Sequence, residues 1–254
     1  MNTPRPAANW FETLPADRLL AEISMWSADL GRLEDDTLRI DPYTDIYHVD
    51  VADGHFAPAM LYFPDLMARL RKVTAKPFHV HLMVSDIVLL GQIAQFAEAG
   101  ADLISIHAEN ANAVDGLKAI RALGLKAGVV LKVDTPVAAA APLIPHLDLL
   151  TLLGTRIGVK GQGLDDTATG RLKEARALVA RHGNGRRIIV AADGGIRENT
   201  VPLLRAAGAD GAHRSLARRP ATEERNRHPG RHGSGHDGGM RTILAALLLA
   251  GGIA

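Results

Sequence analysis

The chain has 254 residues, a net charge of +1 and an apolar share of 47%, which is typical of a soluble globular protein with a full core. It contains no cysteine, which excludes disulfides and thiolate metal sites, so any metal ion would be held by His, Asp or Glu. The start of the chain lacks the apolar core of a signal peptide, and the apolar run at 243–254 is shorter than a bilayer span of about 20 residues. We therefore expect a cytoplasmic protein with no membrane partner.

After Pro15, apolar runs of β type alternate with helical patterns, several of which end at a glycine. The predicted strands are residues 21–27, 46–51, 78–84, 103–108, 127–133, 149–153 and 187–192. The predicted helices are residues 63–73, 87–99, 113–123, 169–181 and 198–207. This alternation predicts an α/β fold with a parallel sheet, and eight such units would close a TIM (β/α)8 barrel with its active site at the carboxyl ends of the strands. An open doubly wound sheet is the alternative, although no Gly-x-Gly-x-x-Gly turn follows the first strand.

Imidazole and carboxylate side chains lie at the ends of three predicted strands. Side chains alternate along a strand, so His48 and Asp50 share one face while the valine between them points away. His79 and His81 share a face of the next strand, and Asp193 ends a third. A histidine and a carboxylate two residues apart on an inward-facing strand end can share one metal ion. The spacing therefore predicts that three strand ends contribute to one site.

These motifs resemble the ribulose-phosphate 3-epimerase family. The matching segments are ISMWSAD at 23–29, HVDVADGHF at 48–56, HVHLM at 79–83, AEAGAD at 97–102 and ADGGI at 192–196. The resemblance spans about residues 21–211, and the segment at 48–56 is its most specific part. A helix that ends in Ala-Gly-Ala-Asp is weak by itself, because it recurs among phosphate-binding barrels.

The resemblance implies a metal-dependent isomerase that inverts carbon 3 of a ketose phosphate, of the ribulose 5-phosphate to xylulose 5-phosphate type in pentose phosphate metabolism. It implies a small sugar phosphate as partner and one divalent metal ion, for which Zn, Fe and Mn all suit the ligand types. The implied metal ligands are His48, Asp50, His81 and Asp193, of which Asp50 and Asp193 are also the catalytic acid–base pair. The implied substrate-binding residues are Ser24, His81, Met83, Gly158, Lys160, Gly161, Gly194 and Gly195.

Two carboxylates suit this chemistry on physical grounds as well. Epimerisation next to a ketone removes a proton from one face of the carbon and returns one to the other face, so Asp50 and Asp193 would alternate between base and acid. The enediolate formed between the two transfers carries negative charge on adjacent oxygens, which a divalent cation stabilises.

Three features of the sequence depart from the family pattern, and they leave the identity of the sugar phosphate undecided. Ala52 stands where the family usually has Met, so we expect it to leave space near the substrate. His79 stands where the family commonly has Asp, and because it shares a face with His81 we expect it to orient a ligand. The loop at 156–162 reads RIGVKGQ where the family has NPGFGGQ, so Arg156 and Lys160 are added cations that suit an anionic group. A 3-epimerase of a ketohexose or ketotetrose phosphate is therefore an alternative.

The largest departure follows Gly211, where residues 212–241 hold seven Arg and four His. This composition predicts no buried strand, so the eighth βα unit would be degraded or replaced. The expected domains are an extension at 1–18, a barrel at 19–211 and a poorly ordered tail at 212–254, which a change of reading frame in the gene would explain. A metal-binding but catalytically impaired barrel is the second alternative.

The tail has no Phe, Tyr or Trp to stack on bases, so we expect no nucleic-acid partner. Family members often associate, which leaves a homo-oligomer open.

Overall fold

The computed structural model describes residues 3–159 and 161–215, in which eight parallel strands close into a barrel. The strands are β1 (Leu20–Ser24), β2 (Ile46–Asp53), β3 (Met60–Leu61), β4 (Phe78–Met83), β5 (Leu103–His107), β6 (Lys126–Leu131), β7 (Leu149–Leu153), β8 (Ile189–Asp193) and β9 (Gly211–Ser215). The α-helices are α1 (Leu33–Ile40), α2 (Pro64–Leu70), α3 (Asp86–Ala99), α4 (Ala113–Ala122), α5 (Ala168–His182) and α6 (Val201–Ala206). Two short 3-10 helices, Val137–Ala140 and Ile144–His146, connect β6 to β7.

Parallel pairing runs around the barrel in the order β1, β2, β4, β5, β6, β7, β8, β9, and β9 pairs back with β1. The two-residue strand β3 pairs antiparallel with the end of β2 and lies outside the ring. The predicted TIM barrel is confirmed, and the open doubly wound alternative is wrong. Helices cover the outside of the strands, which explains why the strand sequences are apolar on both faces.

The eighth barrel strand, β9, forms where the sequence was expected to supply none. It pairs with β1 from Leu20↔Gly211 to Ser24↔Ser215, and with β8 at Asp193↔His213. Without it, β1 and β8 would leave unpaired backbone groups at a gap in the barrel, and strand pairing uses the backbone rather than side-chain polarity. The expectation of no strand after Gly211 is therefore wrong. The domain division stays a prediction, and residues 216–254 lie outside the described residues.

Element boundaries differ from the predicted ones by a few residues, for local reasons. The last helix was expected from residue 198, but α6 begins at Val201. The Thr200 hydroxyl accepts a hydrogen bond from the Arg197 N–H at 2.8 Å, which holds the preceding residues in a turn. Pro202 then occupies the first helical turn, where its missing N–H leaves no helical hydrogen bond unmade.

The segment before β1 covers the amino-terminal end of the barrel. Phe11 and Leu14 are buried there against apolar side chains at the starts of the strands, among them Leu20 and Ile46. The Arg187 guanidinium donates to the carbonyls of Phe11 and Leu14 and so ties the segment to β8. A ligand site must therefore open at the other end of the barrel. In the part of the chain that the structure describes, no helix is long and apolar enough to span a bilayer.

Candidate active site

A cavity of about 370 Å³ opens at the carboxyl ends of the barrel strands. Asp50, His81, Asp193 and His213 form its polar floor, and loops after β1, β7 and β8 form its walls. This is the end of the barrel at which TIM-barrel enzymes place their chemistry.

The four predicted metal ligands meet at this floor, and we call His48, Asp50, His81 and Asp193 the upper centre. His48 Nε2 lies 3.0 Å from Asp50 Oδ1, and His81 Nδ1 lies 3.3 Å from the same oxygen. Asp193 Oδ2 lies 4.0 Å from His48 Nε2 and 3.8 Å from His81 Nδ1. One donor atom from each residue lies within 4.8 Å of the other three. This donor set, two imidazoles and two carboxylates, fits a divalent cation.

Strand register explains why these residues meet. Asp50 on β2 pairs directly with His81 on β4, and His48 pairs with His79. Residues two apart on one strand point the same way, so both pairs face the barrel interior in successive layers. Asp193 reaches the same layer as Asp50 from the end of β8.

The charges of the upper centre compensate one another although three of its residues are buried and Asp193 is partly buried. Burial raises the pKa of Asp50, but His48 and His81 outweigh it and hold this pKa well below its usual range. Burial lowers the pKa of His48, but Asp50 and Glu22 outweigh it and hold this pKa well above its usual range. The pKa of Asp193 is likewise lowered, since His213 and His48 outweigh its burial. The carboxylates are therefore ionised and ready to bind a cation or accept a proton.

A second polar layer, which the sequence reasoning missed, lies beneath the upper centre. We call Glu22, His48, His79 and His213 the deep cluster, and none of the four is more than 2% exposed. Glu22 Oε1 lies 2.8 Å from His48 Nδ1 and contacts His79 Nδ1, and Glu22 Oε2 lies 2.8 Å from His213 Nε2. His79 was expected to orient a ligand, and its Nδ1 does lie 3.3 Å from His48 Nδ1.

Burial and neighbouring charges set the protonation of the deep cluster. Burial raises the pKa of Glu22, but His213 and His79 outweigh it, and the pKa falls well below its usual range. Burial lowers the pKa of His79 to about 4, which leaves this imidazole neutral near pH 7. Burial also lowers the pKa of His213, but the Glu22 carboxylate outweighs it and the pKa is raised.

A series of hydrogen-bonded groups contacts His81 at Nε2, the ring nitrogen that faces away from the upper centre, and orients the ring. The sequence reasoning missed this series too. Glu109 Oε2 lies 2.9 Å from His107 Nδ1, and His107 Nε2 lies 2.9 Å from His81 Nε2. Burial lowers the pKa of His107 to about 4, so its neutral ring can donate to Glu109 and accept from His81. This assignment leaves the lone pair of His81 Nδ1 facing the upper centre, the arrangement that metal-binding histidines commonly have.

Ser24 and Met83, two of the predicted substrate contacts, line the cavity. The Ser24 hydroxyl donates to Asp50 Oδ2 at 2.7 Å and accepts from the Trp26 N–H at 3.3 Å, so it both caps the strand end and holds a carboxylate. Ala52 was expected to leave space near the substrate. It is instead buried in a small apolar cluster with Ala57 and Met83.

Glycines in the loops after β7 and β8 shape part of the wall of the cavity. The predicted contacts Gly158, Gly161, Gly194 and Gly195 all line the cavity. Gly194 and Gly195 have φ angles of 85° and 71°, which L side chains rarely adopt. A Cβ on Gly194 would overlap Thr155 Oγ1, and a Cβ on Gly195 would lie 2.6 Å from Leu164 Cα. The turn after β8 is therefore built from glycine for steric reasons.

Side-chain hydrogen bonds hold the loop after β7 against this turn. Gln162 Nε2 donates to the carbonyls of Arg156 and Val159, both at 3.0 Å. Arg197 Nη2, from the turn after β8, donates to the carbonyls of Gly161 and Gln162. Arg156, one of the two added cations, lines the cavity. The other, Lys160, lies outside the described residues.

Comparison with known proteins gives the same family as the motifs. Residues 20–213 match the model of the ribulose-phosphate 3-epimerase family. The chain belongs to this family. It is 34% identical over 189 residues to the ribulose-phosphate 3-epimerase of Bacillus subtilis (strain 168), a match that covers 74% of this chain and 86% of that protein. It is 35% identical over 191 residues to the enzyme of the same name from Escherichia coli (strain K12), with 74% and 83% covered.

Membership of the ribulose-phosphate 3-epimerase family confirms the resemblance and the prediction of an isomerase of the carbohydrate-epimerase class. A solved structure of 3-keto-L-gulonate-6-phosphate decarboxylase from Vibrio cholerae O1 biovar El Tor str. N16961 superimposes with a TM-score of 0.62. It covers 92% of this chain and 97% of that one at 14% identity, so the likeness concerns the barrel fold alone.

Proposed function

We propose that this member of the family is a metal-dependent 3-epimerase that interconverts ribulose 5-phosphate and xylulose 5-phosphate. The observation that carries the proposal is the meeting of Asp50 and Asp193, from β2 and β8, at the floor of one cavity with two histidines between them. The names of the related proteins from Bacillus subtilis and Escherichia coli support the pentose phosphate as substrate.

The upper centre would hold the metal ion through His48, Asp50, His81 and Asp193. Its donors are mutually close, three of its residues are buried and Asp193 is partly buried, and the fixed tautomer proposed for His81 leaves a lone pair facing inward. Zn, Fe and Mn all suit two imidazoles and two carboxylates. When bound, a divalent ion would stabilise negative charge on the two substrate oxygens beside the reacting carbon.

Asp50 and Asp193 would move the protons. One carboxylate takes the proton from C3, and the C–H electron pair forms the C2–C3 double bond of an enediolate. The other carboxylate, which is ionised in the free site and has to take up a proton from solvent before the first turnover, then returns a proton to C3 from the opposite face, which inverts that carbon. The reverse reaction exchanges the two roles. The Ser24 hydroxyl fixes the orientation of Asp50 through its hydrogen bond to Oδ2.

The phosphate end of the substrate would lie against the turn after β8. Backbone N–H groups in a turn with left-handed residues can bind an anion, and Gly194 and Gly195 supply this backbone beside Arg156. A phosphate role for Lys160 stays a prediction.

Exchange of the substrate C3 proton with deuterated solvent tests the proposal directly. We expect ribulose 5-phosphate to exchange at C3 and to yield xylulose 5-phosphate. Asp50→Asn and Asp193→Asn should each lower this rate by about 10²- to 10⁴-fold, the usual contribution of a general acid or base. Asp115→Asn, at an exposed carboxylate on α4, is the matched control and should exchange like the parent protein.

Substantial exchange in Asp50→Asn or Asp193→Asn would refute the two-carboxylate mechanism. Faster exchange with a ketohexose or ketotetrose phosphate would favour the alternative substrates. Absence of exchange with every ketose phosphate would favour the catalytically impaired barrel, although the premise of that alternative, a missing eighth strand, is wrong. The cytoplasmic location, the lack of nucleic-acid and membrane partners and the assembly state stay predictions.

A further inference from the structure

The deep cluster has the composition and convergence of a metal site of its own. Glu22, His48, His79 and His213 come from four neighbouring strands, β1, β2, β4 and β9. One carboxylate oxygen or imidazole nitrogen of each lies within 4.8 Å of the other three. We propose that the deep cluster binds a second divalent cation, beneath the upper centre and separate from it.

Hydrogen bonds satisfy only part of the deep cluster. Glu22 Oε1 can accept from both His48 Nδ1 and His79 Nδ1, which lie on the same side of it. His213 is different, because its buried ring has no hydrogen bond at either nitrogen within residues 3–159 and 161–215. Its Nε2 lies 2.8 Å from Glu22 Oε2 as an ion pair without the direction of a hydrogen bond, and its Nδ1 lies 3.7 Å from Asp193 Oδ2, which is too long for one. A cation among these donors would give this buried imidazole a directed bond, which its ion pair with Glu22 does not supply.

The donor set favours zinc or a similar late transition metal. Three imidazole nitrogens and one carboxylate suit tetrahedral Zn²⁺, whereas Mg²⁺ and Ca²⁺ prefer oxygen ligands. Ligand bonds of about 2.0–2.2 Å place tetrahedral ligand atoms about 3.3–3.5 Å apart. The separations in the cluster are 3.3 Å between His48 Nδ1 and His79 Nδ1, and 2.8 Å between Glu22 and either His48 or His213. To admit the ion, the Glu22 carboxylate would therefore have to move away from the imidazoles of His48 and His213 by about half an ångström, and further from His79 Nδ1, its shortest contact.

His79 is oriented for metal binding by a partner outside the cluster. Its Nε2 lies 2.7 Å from the buried Ser105 hydroxyl. Without the ion, Nδ1–H can donate to Glu22; with the ion bound, the tautomer that donates Nε2–H to Ser105 would leave the lone pair of Nδ1 for the ion. Gly128 on the adjacent strand makes room for this hydroxyl, since a Cβ at that position would overlap Ser105 Oγ.

His48 belongs to both centres, and this sharing determines which residues can ligate an ion in each of them. Its Nδ1 faces Glu22, and its Nε2 faces Asp50. A neutral imidazole has one nitrogen with a free lone pair, so His48 cannot ligate both ions without losing its last proton. We assign the deep ion to Glu22, His79 and His213 when the upper centre is filled, with His48 Nδ1 as an added ligand when it is empty.

A deep ion would join the strands on either side of the closing seam of the barrel. His213 is on β9 and Glu22 is its direct partner on β1, so one ion would bridge the last strand and the first. The inference concerns metal binding alone and does not rest on the proposed reaction.

Zinc stoichiometry of the full chain tests the inference. After removal of metal with a chelator, we expect equilibrium dialysis to give two Zn²⁺ per chain in the parent protein. His79→Asn should remove the deep ion, and His81→Asn, the same substitution two residues along the same strand, should remove the upper one. Each single variant should then bind one Zn²⁺, and the double variant none. Replacement of His228, His232 and His236 by Asn in every protein removes the tail histidines as a source of extra binding.

Cobalt substitution of the parent chain tests the inference without any variant, and one variant then assigns the spectra. Two Co²⁺ in the parent chain should give two distinct visible spectra, of which only the deep one persists in His81→Asn. A count of one Zn²⁺ in the parent chain would overturn the proposal, as would two ions retained in His79→Asn or in Glu22→Gln. These results can be separated from the proposed function. Exchange at C3 in a chain that binds one ion would refute only the deep metal site. Two bound ions without any exchange would refute only the proposed epimerase activity.

Discussion

The Ser24 hydroxyl donates a 2.7 Å hydrogen bond to Asp50 Oδ2, and both side chains are buried at the floor of the cavity. Because this bond fixes the carboxylate that would move a proton, Ser24→Ala should lower the C3 exchange rate. Loss of a partner that orients a ligating group commonly costs about 10- to 100-fold, and we expect a loss of that size. Steady-state rates with saturating metal ion measure it.

Ser24→Thr is the matched control, since it keeps a hydroxyl at the same position. It should retain more activity than Ser24→Ala. Equal losses in the two variants would show that packing around the side chain, rather than its hydrogen bond, supports Asp50.

Glu109 acts on the upper centre through His107, whose other ring nitrogen contacts His81. Glu109→Gln replaces the ionised acceptor by an amide and weakens the preference for the tautomer that frees His81 Nδ1. We expect the affinity of the upper centre for Zn²⁺ to fall by about 10- to 100-fold, as measured by competition with a chelating dye.

Thr135→Val is the control for this prediction. It removes a different hydrogen bond of Glu109 and leaves its contact with His107 in place. Unchanged affinity in Glu109→Gln, or an equal loss in Thr135→Val, would contradict a role for the Glu109–His107–His81 chain.

The two-residue period of strands predicted that residues at three strand ends share one site, and the family resemblance selected the four ligands among them. His48 with Asp50, and His79 with His81, alternate with apolar residues, and parallel strands bring their carboxyl ends to one edge. Asp193 has no polar partner two residues before it on β8, so its position at a strand end made it a candidate and the family resemblance made it a ligand.

The deep cluster could not be predicted in the same way. Glu22 is a single charged residue in the apolar segment LAEIS, and its partners come from strands distant in sequence. His213 stands at the edge of the segment rich in Arg and His at 212–241, and the average composition of that segment gives no sign that the barrel buries Ala212 and His213. A charged residue inside an otherwise apolar strand was the available signal, because burial of a carboxylate requires partners.

Asp53 links the end of β2 to the segment before α3, and its contribution should depend on pH. Its Oδ1 accepts from the N–H groups of His55 and Phe56 at 2.9 Å, and its Oδ2 accepts from the N–H and the hydroxyl of Ser85 at 2.7 Å. Burial raises its pKa, but these hydrogen bonds outweigh it and lower the pKa to about 2.

A carboxylate whose pKa is lower in the folded state stabilises the fold above its unfolded pKa of about 3.9, and this contribution is lost as the pH falls toward 2. Asp53→Asn should therefore lower the free energy of unfolding by about 1 kcal/mol at pH 7, a value discounted for solvent screening. The difference between variant and parent should shrink between pH 4 and about 2 in urea unfolding. A difference that stays constant over this interval would contradict the assignment.

Gly194 should be needed for binding of the phosphate end of the substrate. Gly194→Ala would force a side chain into the left-handed region at a φ of 85° and against Thr155 Oγ1. An alanine in this region is strained by about 1–2 kcal/mol. If the turn moves to relieve that strain, KM for the ketose phosphate should rise by about tenfold or more, with a smaller change in kcat. Gly163→Ala, where a Cβ meets nothing within 4 Å, should leave KM unchanged.

The double variant Gly194→Ala/Thr155→Ala separates the two causes of this loss. It removes the contact with Thr155 Oγ1 but keeps the unfavourable φ, so a partial recovery of KM would assign part of the effect to the clash. No recovery would assign it to the backbone conformation. An unchanged KM in Gly194→Ala itself would show that the turn after β8 does not bind the phosphate, and would direct attention to Arg156 instead.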